Sequence, residues 1–112
     1  MAIAETKVEG LINYCENHSE ENSSILRDIE KFVDLTGDDN KIHTDNKYAS
    51  KTSFKKPVAH GMLGASFIST VIGTKLPGDG ALWYSQSLEF LHPIRVGDRL
   101  KIVAEVIKKI DK

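Results

Sequence analysis

The chain has 112 residues, 40% apolar and 28% charged, with a formal net charge of −1 and a single cysteine, Cys15. That length supports one domain, residues 1–112, with the composition of a soluble globular chain. The near-neutral balance offers no electrostatic basis for nucleic-acid binding, and a lone cysteine excludes an intrachain disulfide and a cysteine-based zinc site.

Residues 1–23 are hard to read: a short strand or helix is possible around 8–14, followed by the polar run "ENHSEENSS". From Ser24 onward, Ile25, Ile29, Phe32 and Val33 fall at helical spacing, with Ser23 or Ser24 as the cap and Gly37 as the stop. Next comes "GDDNKIH", residues 37–43, which places two carboxylates, an amide and a histidine beside a glycine. Asp45 can cap a further turn through Tyr48 and Ala49, and "SKTSFKKP" reads as a loop ending at Pro57.

Residues 61–74 hold no charged side chain, and their apolar residues surround the helical circumference, so a helix buried on all sides is expected. This run falls short of the roughly 18 residues a membrane span needs, and the first residues lack the pattern of a signal peptide. A cytoplasmic protein without membrane contact is the expectation. "PGDG" makes a sharp turn. Leu82, Tyr84, Leu88 and Phe90 then alternate with Trp83, Ser85, Ser87 and Glu89, the period of a strand, with Gln86 as the polar exception on the apolar face. After the "HPIRVGD" connection, Leu100, Ile102, Ala104 and Val106 alternate with Lys101, Val103, Glu105 and Ile107. Two antiparallel strands following one buried helix are predicted.

The sequence contains no internal repeat, phosphate-cradling glycine loop or nucleophile elbow, and no histidine pair at helical metal spacing, so no metal is expected. What remains is Asp38, Asn40 and His43, lying ahead of His60 and Gly61 at the start of the apolar helix. Alone, an Asp or Asn after Gly is most often a turn residue, and a single histidine most often a surface one. A carboxylate and an imidazole that hold the same water can nevertheless remove one proton and deliver another, as hydration of a double bond requires.

The segments "GDDNKIHTD", "YASKTSFKKPVAHGM", "LPGDG" and "SLEFLHPIRVGD" together resemble the MaoC-like, (R)-specific enoyl-CoA hydratases in order and spacing, over about residues 28–108. The resemblance implies an α+β hot-dog fold, in which a curved antiparallel sheet wraps one long helix. It also implies a homodimer, and an enzyme that adds water across a trans-2-enoyl thioester to give a 3-hydroxyacyl thioester. The family sheet continues past Lys112, so a version of the fold shortened at its C-terminus is expected.

By the same resemblance Asp38 and His43 are the catalytic pair, with Asp39 and Asp45 outside it. Gly61 would supply a backbone N–H to the thioester oxygen, Asn40 would support the loop, and Ser69 matches a serine placed near the catalytic carboxylate. His60, Gln86 and Lys56 are candidates for substrate contact, Lys56 toward the phosphates of coenzyme A; packing or a cap at the helix entrance is the stronger reading of His60, and Gln86 can equally serve the strand. No cofactor is implied beyond the coenzyme A or acyl carrier that forms part of the substrate. Lys41 stands where family members commonly carry proline. The alternatives are a hot-dog thioesterase and a non-catalytic acyl-binding or assembly domain.

Overall fold

The computed structural model describes residues 2–15 and 24–111. Its elements, in chain order, are strand β1 (Ala2–Cys15), helices α1 (Ser24–Thr36), α2 (Lys41–Thr44), α3 (Asn46–Ser50) and α4 (Gly61–Thr74), and strand β2 (Asp98–Asp111). The polar run at 16–23, with His18 and the possible Ser23 cap, lies outside the described residues.

Helix α1 forms as its spacing predicts. Ile25 and Ile29 are buried, and Phe32 and Val33 pack beside them. Gly37 ends it at φ 76°, donating its N–H to Val33 O at 2.8 Å. This is the left-handed cap that glycine adopts without a Cβ penalty. Asp45 also acts as expected: its carboxylate accepts the Tyr48 N–H at 3.0 Å and starts α3, whose Ala49 is fully buried. Asp45→Ala should therefore lower stability by about 1 kcal/mol, a fall of roughly 4–8 °C in a thermal melt.

The sheet differs from the expectation. It consists of β1 and β2, paired antiparallel from Ala2↔Asp111 to Cys15↔Asp98, so one strand precedes the helices and one follows them. The hard-to-read first residues hold a full-length strand. Its register shifts between Glu5 and Thr6 and between Glu9 and Ile12, and such irregularities interrupt an alternating pattern. β2 keeps the predicted alternation, with Leu100, Ile102, Ala104 and Val106 half-buried and Lys101, Val103, Glu105 and Ile107 exposed. A turn launches it: Asp98 N–H donates to Arg95 O at 3.0 Å, with Gly97 at φ 94° in the position that requires a positive φ.

Residues 82–90 do not form the expected strand. Their alternation fits a pleated surface, but a strand exists only with a ladder partner, and the sheet of the described residues is the β1–β2 pair alone. Leu82 and Tyr84 are consequently more than nine-tenths exposed.

Helix α4 covers the predicted residues but is not buried all round. Leu63, Gly64 and Ile68 are buried, whereas Met62 is 58% exposed. Apolarity around the circumference permits burial; the cover has to come from neighbouring elements. Here the core lies on one side, where Leu63 and Phe67 meet Ile25 and Ile29 of α1, Ala59, Ile94 and Leu100. Among the described residues no helix is long and apolar enough to cross a membrane.

Candidate functional site

Two short segments and one helix end build the site. The first is the turn after α1. Asp38 Oδ1 accepts the Asn40 N–H at 3.3 Å, and Asn40 Oδ1 accepts the Ile42 N–H at 3.1 Å, capping the single turn α2. Each polar side chain thus holds the backbone two residues ahead, the ordinary use of Asp and Asn in turns. Lys41 occupies the first position of α2, where proline is favoured in helices because its missing N–H is not needed. With lysine there, the Asn40 cap fixes the turn.

The second segment is 58–60, extended and held on both sides. Val58 N–H donates to Ile42 O at 3.2 Å on the α2 side. On the other side Val58 bridges Arg95, and Ala59 N–H donates to Ile94 O at 2.7 Å. His43 Nδ1 lies 2.6 Å from Val58 O. A carbonyl only accepts, so Nδ1 carries the hydrogen, and in the neutral ring the lone pair is left on Nε2. His43 is half-buried, and its ring is therefore held in the tautomer a general base requires.

His60 lies beneath. It is 3% exposed, stacks on His43 with centroids 3.9 Å apart at 29°, and meets Phe32 on α1 at 4.6 Å. Its Nε2 donates to the backbone carbonyl of Asp38 at 2.9 Å, while the Asp38 carboxylate is 4.0 Å away. Nδ1 is buried with no protein partner among the described residues, a defect that costs about 1–3 kcal/mol in general. Of the roles open to His60, this burial fits packing at the entrance of α4, where its side chain makes no cap bond. A histidine amid Val58, Ala59 and Leu63 was the available signal.

A carboxylate oxygen of Asp38 and one ring nitrogen each of His43 and His60 lie within 4.8 Å of one another. His43 Nδ1 and His60 Nε2 spend their hydrogens on the Val58 and Asp38 carbonyls, so those two nitrogens offer no lone pair to a cation. A water can, however, reach across such a gap, since two hydrogen bonds of about 2.8 Å at a tetrahedral angle span roughly 4.6 Å. A carboxylate and an imidazole at such a separation can share one water. Asp39 is exposed, and its carbonyl accepts from Thr44 Oγ1 at 3.2 Å.

Gly61 begins α4. Leu63 and Gly64 donate to His60 O at 3.0 and 3.3 Å, so the first N–H groups of the helix have no carbonyl one turn back and sit at its positive end. A Cβ on Gly61 would lie 2.9 Å from the Phe90 ring, so a larger residue would have to displace that exposed side chain. Beyond it, a cleft of about 270 Å³ runs between α4 and residues 83–88. Ser69 and Gln86 line it with Met62, Ile68, Trp83 and Leu88. Ser69 is thereby brought together with Gln86.

A family model described as "MaoC like domain" matches residues 11–112. The chain belongs to this family. The MaoC-like chain is 42% identical over 102 residues to the (R)-specific enoyl-CoA hydratase of Rhodospirillum rubrum, covering 86% of this chain and 71% of the relative. To the 3-hydroxybutyryl-CoA dehydratase of Methylorubrum extorquens it is 43% identical over 83 residues, 74% of this chain and 53% of that one. The solved (R)-hydratase of A. caviae involved in PHA biosynthesis superposes with a TM-score of 0.63 at 31% identity, over 87% of this chain and 62% of that structure. The MaoC-like chain thus has the α+β hot-dog fold of these hydratases, while spanning only about half to two thirds of the last two.

Proposed function

We propose that this chain is an (R)-specific enoyl thioester hydratase, acting on coenzyme A or acyl-carrier thioesters without a metal or redox cofactor. The observation that carries the reading is that the Asp38 carboxylate and a ring nitrogen of His43 come within 4.8 Å, with the His43 tautomer set by Val58 O. Family membership and the names of the relatives support it.

Asp38 and the Nε2 lone pair of His43 hold the water. One of its protons passes to the pair as the oxygen bonds to C3, and a proton from the pair is delivered to C2, giving the 3-hydroxyacyl thioester. Positioned acid–base groups of this kind contribute about two to four orders of magnitude. As C3 is attacked, negative charge develops on the thioester oxygen, where the Gly61 N–H at the head of α4 receives it. The acyl tail lies in the largely apolar cleft beside Ser69 and Gln86, and the exposed Lys56 is the candidate for the phosphates of the carrier. The exposed apolar side chains Leu82, Tyr84, Phe90 and Leu91 support a homodimer, and the low cysteine content supports a cytoplasmic setting.

The test is incubation with crotonyl-CoA, following the enoyl absorbance beside a free-thiol assay. Loss of absorbance without thiol release is expected. Thiol release without hydration would identify a thioesterase, and silence in both assays would leave an acyl-binding domain.

A further inference from the structure

We infer that His60 is a positioning residue that ties Asp38 and His43 into one rigid unit for proton transfer, an inference that rests on the hydratase reading. Asp38 sits on an exposed turn, and its other hydrogen bonds are local: its Oδ1 to Asn40 N, and its own N–H to Thr36 Oγ1 at 3.2 Å. Local bonds shape the turn but do not fix it against the rest of the molecule. The His60 Nε2–H bond to the Asp38 carbonyl crosses 22 residues of sequence and anchors the turn to the buried segment 58–60.

The same ring constrains His43. The Nδ1–H bond to Val58 O fixes one edge of that imidazole but permits rotation about the N–H···O axis. Stacking on the His60 face at 3.9 Å fixes the plane, and with it the direction of the Nε2 lone pair. His60 is clamped in turn by Phe32 on α1 and by the two backbone bonds that flank it at Val58 and Ala59. An apolar side chain could fill this slot and cover His43, but it could not hold Asp38. A shift of about 1 Å between reacting groups can cost on the order of 100-fold in rate.

His60→Phe keeps the ring and removes the donor, whereas His60→Gln keeps a donor near Nε2. The Phe variant, shown folded by urea unfolding, should lose on the order of 100-fold in kcat on crotonyl-CoA with KM within about twofold. The Gln variant should recover at least about tenfold of that loss. Wild-type kcat in the folded Phe variant, a rise in KM alone, or a Gln variant no faster than Phe would overturn the assignment. A second readout uses the unsubstituted protein: NMR should show a through-hydrogen-bond coupling between His60 Nε2 and the Asp38 carbonyl carbon. Absence of that coupling overturns the tether. Its presence in a protein that does not hydrate crotonyl-CoA would support the tether and reject the hydratase reading instead.

Discussion

Asp38→Asn and His43→Ala are each expected to lower the hydration rate by about two to four orders of magnitude, with little change in unfolding midpoint. The Asn substitution is nearly isosteric and keeps an oxygen to accept the Asn40 N–H, so the turn survives while the proton acceptor is lost. Half of the Asp38 side chain is exposed, at 52%, so no core packing depends on its charge. His43→Ala removes the ring that caps His60 and the bond to Val58 O, but Val58 stays fixed by Ile42 and Arg95. Because both groups act on one water, the double variant should fall little below the slower single variant. A measured loss equal to the product of the two single losses would show that they act independently. Near-normal turnover in either folded variant would remove the pair from the reaction.

What was legible in the sequence follows from the range of the interactions involved. Helix α1, the Gly37 stop and the Asp45 cap are set by residues within four positions of one another, and the structure reproduces them. The four-residue helix α2 was not read, although Asn40 carries its cap signal, because one turn has no apolar period to detect. Strand β1 is hidden by its own irregularity: Glu5, Lys7 and Glu9 alternate with Thr6 and Val8, and the pattern breaks at Gly10 and Leu11, within one of the register shifts.

For α4 and residues 82–90 the limitation is different. Their patterns state which surfaces can be buried or paired, while burial and pairing depend on what lies opposite. In the site, Asp38, His43 and Gly61 were named from motif order. Packing of His60 at the helix entrance is legible too, but its bond to Asp38 spans a separation that no local pattern encodes.

Leu63→Ala should destabilise the fold by about 2–5 kcal/mol, a large fraction of the roughly 5–15 kcal/mol that holds a typical domain. Leu63 is 6% exposed and packs with Ile25, Ile29, Ala59 and Ile94, where α1, the segment 58–60 and α4 meet. Those are the elements that carry Phe32, His60 and Gly61, so the cavity would open directly under the site. The neighbours that could collapse into it are restrained: Ala59 and Ile94 are joined by a backbone hydrogen bond, and Ile25 and Ile29 sit on a capped helix. In urea the midpoint should fall with an unchanged slope, and kcat on crotonyl-CoA should decline before global unfolding as His60 loses its support. Leu35→Ala, at a position 83% exposed, provides the contrast and should change stability by less than about 0.5 kcal/mol. A Leu63→Ala loss below about 1 kcal/mol would mean that the cluster beneath the site is loosely packed, and that the alignment of Asp38 with His43 comes from the hydrogen bonds alone.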